Sequence, residues 1–218
     1  MSTGSRPVLY EYHRPLLLGP ESLVKLDEIM GCDSEVMILV SQIAELEAWK
    51  RECRAEGRLS YMTLTTRAAR IDVMLQAMER RLDGEVVKMK RAVDEVSRRF
   101  ATAALVYLHV VVSGFQYSLP GIRECVVKAI GMFEQLSDER LLRSLMWPMC
   151  ITGCLAEKEQ EEWFRGLVMG MSAEVFMFGS ARSALCIIER CWGRREKRDE
   201  AWDWAQGMNS LGHLVLIV

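Results

Sequence analysis

The 218 residues hold almost no chemistry of the recognisable kind. There is no CxxC pair, no HExxH, no Walker-type glycine loop, no GxGxxG and no GxSxG. These absences argue against the common zinc, nucleotide and acyl-transfer sites, whose geometry needs those residues at those spacings. Histidine occurs only as His13, His109 and His213, far apart in the chain. Charge of one sign is lacking too: the net charge is -2, so nothing biases the chain as a whole toward nucleic acid or an anionic membrane. Long apolar runs are missing. The longest, Ala103 to Val112, is interrupted by His109 and falls well short of the ~20 residues that span a bilayer. The short Leu16 to Leu18 run, closed by Gly19 and Pro20, does not make a signal peptide, so a soluble protein is expected.

Proline is scarce after residue 20. Three of the five (Pro7, Pro15, Pro20) lie in the first twenty residues, so residues 1–20 read as an irregular arm and 21–218 are free to be helical. Strand patterns are nearly absent. Only the terminal "LVLIV" qualifies, and a helical turn fits it as well.

What is present is helical periodicity. Asp33 or Ser34 caps a helix whose apolar row is Val36, Leu39, Ile43, Leu46 and Cys53, ending before Gly57. Ser60 caps a second, with Leu64, Ala68, Ile71, Leu75, Met78 and Leu82 in line, ending at Gly84. Steps of three and four then continue from Val86 to Gly114, about 43 Å of helix at 1.5 Å per residue. The second half of that helix is apolar nearly all round, as at the centre of a bundle. Pro120 opens another with Ile122, Val126, Ile130 and Phe133, and Ser137 caps the one that contains "RSLMWPMCITGCLA". Further helices are expected over 158–171, 181–197 and 199–208. The fold class is all-α, an irregular bundle of roughly seven to nine helices with one long central helix.

Several clusters invite a functional reading. Cys150 and Cys154 share a helix face, and Cys186 and Cys191 fall on a later helix, so four thiolates could meet at one zinc. Without closely paired ligands in a tight turn, apolar filler is the better reading and no metal or cofactor is expected. The seven cysteines, odd in number and scattered, suit a reducing compartment. His109 is expected as a hydrogen-bonded core residue. Glu161 and Glu162 suit a helix start, where carboxylates meet the positive end of the dipole. The basic run "RCWGRREKR" is interleaved with Glu189, Glu196, Asp199 and Glu200 and reads as a solvated helix end rather than a phosphate site. Nothing points to an enzyme.

"WPMCITGCLA" (Trp147 to Ala156) resembles the tryptophan-proline, apolar, glycine-cysteine-alanine block in the regulatory domain of fungal zinc-cluster transcription factors. Other blocks follow that family's order: "LDEIMGCDSEVMILVSQIAELEAWK" from Leu26, "LSYMTLTTRAARID" from Leu59, "AALVYLHVVVSG" from Ala103, "ALCIIERCW" from Ala184 and "DWAQGMNSLGHLVLIV" from Asp203. The family's six-cysteine zinc cluster, with its CxxC steps, is not in this chain. The resemblance therefore implies a helical regulatory domain over 21–218 that lacks the family's front helices. Such a domain is expected to act through a protein partner or self-association on apolar helix faces, with a hydrophobic small molecule as effector, in a nuclear or nucleo-cytoplasmic setting. No direct DNA binding by this chain and no membrane contact are expected. The alternative is a stand-alone helical module that modulates a full-length zinc-cluster factor. If front helices are missing, the rows over Val36–Leu46 and Leu64–Leu82 are expected to lie exposed.

Pro148 is expected to kink a core helix, leaving the Ser144 carbonyl unpaired. The later "GLVMGMSAEVFMFGS" sets methionine and phenylalanine among helix-weakening glycines. A loosely formed core helix is one reading. Sterol sensing in one branch of the family implies another: an apolar pocket floored by Trp147, Pro148 and Ile151, with Met169, Phe176, Met177 and Phe178 as its lid.

Overall fold

Two glycines that follow major helices in the first part of the chain turn left-handed, Gly57 at φ 67° and Gly114 at φ 87°, a region open to glycine at little cost. Between such stops the computed structural model describes residues 26–84, 91–171 and 180–195. The helices are α1 (Leu26–Met30), α2 (Ser34–Ala55), α3 (Tyr61–Gly84), α4 (Arg91–Ser113), α5 (Pro120–Glu134), α6 (Met146–Cys154), α7 (Glu161–Met169) and α8 (Ser180–Arg195), with 3-10 segments at Glu139–Leu145 and Lys158–Gln160. No strand occurs among the described residues. The chain divides into two compact units, one of residues 5–114 and one of residues 115–218.

In the first unit α2, α3 and α4 run up, down and up. The rows read from the sequence are the rows that are buried: Val36, Leu39, Ile43, Leu46 and Cys53 on α2, and Leu64 through Leu82 on α3. Full burial of a leucine such as Leu64 or Leu75 contributes about 1.5–3 kcal/mol. The expectation that these rows lie exposed is thus corrected. They are already covered, and α3 carries its exposed apolar residues on the opposite side. The described part of the long helix starts at Arg91, and residues 85–90 lie outside the described residues. Its second half, Ala101 to Leu108, is buried without interruption.

Polar contacts set the register of these three helices. The Asp33 carboxylate caps α2 by accepting from the Glu35 N–H at 2.7 Å, and also receives Arg81 from the end of α3 at 2.9 Å. The Asp33 N–H donates to Ser97 Oγ on α4 at 2.8 Å. Midway, Thr102 donates to Glu79 at 3.0 Å. At the far end Tyr107 donates to Glu47, and Lys50 Nζ to the Val111 carbonyl, both at 2.5 Å. Partial burial lowers the Lys50 pKa, with Arg54 adding to the effect and Glu47 opposing it. Arg99, buried to 5% exposure, pairs with Glu95 at 3.2 Å. One-residue slips would strand these buried groups, which costs more than the bonds themselves contribute.

The second unit begins with α5, where Pro120 occupies the first turn and Ile122, Val126, Ala129 and Phe133 are buried. Ile130 is only half-buried, and Ala129 takes the inward position instead. The expected last helix at 199–208 and the terminal "LVLIV" lie outside the described residues. No described helix is long and apolar enough to cross a membrane.

Candidate functional site

The segment before α6 does not start as an α-helix. Asp138, not Ser137, is the cap: its carboxylate accepts from the Arg140 N–H at 2.9 Å and opens the 3-10 segment over 139–145. Leu145 then hands over to α6, which begins at Met146. Pro148 is therefore the third residue of an α-helix. First-turn N–H groups have no partner within the helix, so the missing donor costs α6 nothing there. The expected kink is corrected to a change of helix type one turn upstream, with Ser144 inside the 3-10 segment. Thr152 is wholly buried, and its hydroxyl is turned back to the Pro148 carbonyl at 2.7 Å.

All nine residues of α6 are buried, Trp147, Pro148 and Ile151 among them. One reason is Gly153. A Cβ there would stand 2.7 Å from Ile188 Cδ1 and 3.2 Å from the Phe164 ring, so any larger residue would force the Ile188 side chain to shift. Trp192 of α8 completes the joint, donating Nε1–H to the Gly153 carbonyl at 2.8 Å in a buried setting. Beside it lie the buried thiols of Cys150, Cys154 and Cys191. Burial, first of all, pushes the Cys154 thiol well up in pKa, and the neighbouring thiols of Cys150 and Cys191 push the same way. Cys186 is exposed, so the four cysteines do not converge, and no described group of His, Cys, Asp or Glu could hold a metal.

Around this joint runs a charged girdle. Glu161 and Glu162 stand in the first turn of α7, as expected of carboxylates at a helix start. Arg165 reaches Glu189 at 3.0 Å and Glu162 at 3.3 Å, with its guanidinium 5.0 Å from the Trp192 ring centre. Arg195, from the basic run, pairs with Glu161 at 3.6 Å and lies over Tyr117 at 4.7 Å. That end of the run is engaged with protein, while Lys197 and Arg198 lie outside the described residues. His109 is half-buried on α4 rather than central in the core, and His13 and His213 lie outside the described residues.

The seven residues expected to form an apolar pocket divide into three groups. Trp147, Pro148 and Ile151 lie buried on α6. Met169, at the end of α7, is 69% exposed. Phe176, Met177 and Phe178 lie outside the described residues. Two features went unread in the sequence. Gly153 is invisible because a helical glycine carries no mark of the side chain it makes room for. The outer face of α3, where Met62 and Val73 are exposed, was signalled by their seven-plus-four spacing but was outweighed by the stronger core row.

The family model for the fungal-specific transcription factor domain matches residues 1–218. Among curated relatives, the trichothecene biosynthesis transcription regulator TRI10 of Trichoderma arundinaceum is 34% identical over 209 residues, covering 96% of this chain and 46% of its own length. Transcription factor dibT of Pestalotiopsis microspora is 30% identical, covering all of this chain and 38% of the relative. The ustiloxin B cluster transcription factor ustR of Aspergillus flavus is 29% identical, covering 93% and 37%. The chain thus spans less than half the length of these relatives. No solved structure matches. The relatives are transcription regulators rather than enzymes, which agrees with a fold rich in packed apolar joints and poor in convergent polar groups. The chain belongs to the fungal-specific transcription factor domain family.

Proposed function

We propose that this chain is the regulatory body of a fungal transcription factor of the kind that controls a biosynthetic pathway, acting in the nucleus through protein contacts and not itself reading DNA. The observation that carries this reading is the family match over the full 218 residues, joined to a chain with balanced charge and no CxxC step. Duplex binding draws most of its affinity from neutralised phosphates, and a net charge of -2 offers no such field. Selection from a random duplex library at moderate salt should return no motif. Recovery of a recurrent triplet by this chain alone would contradict the reading.

An apolar effector is the finer part of the proposal. Its support is α6, apolar and buried along its whole length, ending in a joint whose packing depends on one glycine. A ligand seated against Trp147, Pro148 and Ile151 would alter that joint and what it presents to a partner. A panel of sterols and fatty acids should change the tryptophan emission, and Trp147→Phe should remove that change. Met177→Glu should abolish the response while helical circular dichroism is kept. A panel that leaves the emission of well-folded protein unchanged would remove the effector from the account.

A further inference from the structure

We propose that residues 139–145 are a two-state hinge, able to exchange their 3-10 form for an α-helix continuous with α6, and that Pro148 holds the hinge in the 3-10 form. Seven residues make a long run for a helix type whose pieces seldom exceed three or four. The run opens on the Leu141 N–H, which donates to the Asp138 carbonyl three residues back at 3.0 Å. It passes directly into α6, with only Leu145, at φ -107° and ψ 14°, between the two helix types. Such stretches mark hinges or sequences under constraint. Here the constraint is Pro148. An α-helix carried through Ser144 to Pro148 would need the N–H that proline lacks, and would set the proline ring against the Ser144 carbonyl. Pro148 fits without penalty only while α6 starts after Ser144.

The side chains of the segment suit both forms. At three residues per turn Leu142 and Leu145 lie one above the other, and both are buried. Leu141 then points a third of a turn away and is half-buried. At 100° per residue Leu141, Leu142 and Leu145 gather on one face, and Glu139, Arg140, Arg143 and Ser144 take the other. The α form thus buries Leu141 more fully and forgoes one hydrogen bond at Pro148. These opposed effects keep the two forms within reach of each other. Asp138 can cap either one, since its carboxylate accepts from the first-turn Arg140 N–H at 2.9 Å. The exchange has a mechanical result. The segment spans about 14 Å as 3-10 helix and about 10 Å as α-helix, so the link between α5 and α6 shortens by roughly 3 Å and turns. The hinge therefore couples the packing of α6 to the placement of α5. This inference rests on neither the regulatory role nor the effector.

Methyl relaxation dispersion on the whole chain should show Leu141 exchanging between two states on the microsecond-to-millisecond scale, and Leu155, beyond the hinge, not doing so. In Pro148→Ala the Leu141 methyl shift should move to the position that the dispersion profile assigns to the minor state. A thiol placed by Leu141→Cys should be alkylated several-fold more slowly when combined with Pro148→Ala than with Pro148 in place, while Cys186 labels at an unchanged rate. Flat dispersion at Leu141 in the native chain would overturn the hinge, whether or not the proline variant folds. A folded Pro148→Ala chain that keeps the native Leu141 shift and labelling rate would overturn the role given to Pro148.

Discussion

Gly153 is the residue on which the α6 joint turns. Ile188 and Phe164, the side chains a Cβ would meet, are themselves fully buried and have little room to retreat. Gly153→Ala should therefore destabilise the fold by about 1–3 kcal/mol, the usual cost of overpacking, even though alanine is the better helix former. A urea melt followed by tryptophan emission measures it. Ile188→Val in the same chain should recover part of the loss, because the two changes share one contact. The buried thiols give a second test at this scale. Burial pushes Cys32 from an ordinary 9.0 up to about 12. A raised pKa means that the unfolded chain loses this proton first. The stabilising contribution is complete below pH about 9 and is lost as pH rises from there toward 12. Denaturation midpoints should fall over that window, and Cys32→Ala should flatten the fall. At neutral pH Ellman's reagent should reach exposed Cys186 quickly, and Cys150, Cys154 and Cys191 only as the protein unfolds.

Among the elements, α3 separates core from surface within three residues. Leu75→Ala should cost about 2–5 kcal/mol by opening a cavity. Val73→Ser, two positions away on the outer face, should stay within about 0.5 kcal/mol in dilute protein. Chemical denaturation of the two variants compares them directly, and similar losses would mean that the face assignment is wrong. The bounds and core row of this helix were legible in the sequence, because those apolar residues recur strictly at three and four between a serine cap and a glycine. Ser60 Oγ does accept from the Thr63 N–H at 3.3 Å. The stretch before α6 was not legible. From Leu141 to Leu155 nearly every residue is apolar, so periodicity marks no beginning, and Pro148 reads equally as an interior break or as a first-turn residue. Asp138 carries the cap, one position beyond the serine that the sequence suggested. On α5 the choice between Ala129 and Ile130 was decided by packing, with the smaller residue inward. For the apolar segment after α7, composition offered a loosely formed core helix and the family resemblance a lid, and its residues 172–179 lie outside the described residues.

At the scale of the whole molecule, the two units are built alike in kind. Each is a set of amphipathic helices, held in register by a few buried polar contacts in the first unit and by the Gly153–Trp192 joint in the second. Among the described residues such a body offers packed helix surfaces rather than a cluster of convergent polar groups, in keeping with its family. The central claim, that this chain regulates transcription without reading DNA, is tested most directly by tethering. The chain is fused to an unrelated DNA-binding domain with an appended activation segment, and a reporter with the matching sites is measured against the same fusion without the chain, at equal abundance. The account predicts a several-fold change in reporter output that Gly153→Ala diminishes. Output identical with and without the folded chain would contradict it.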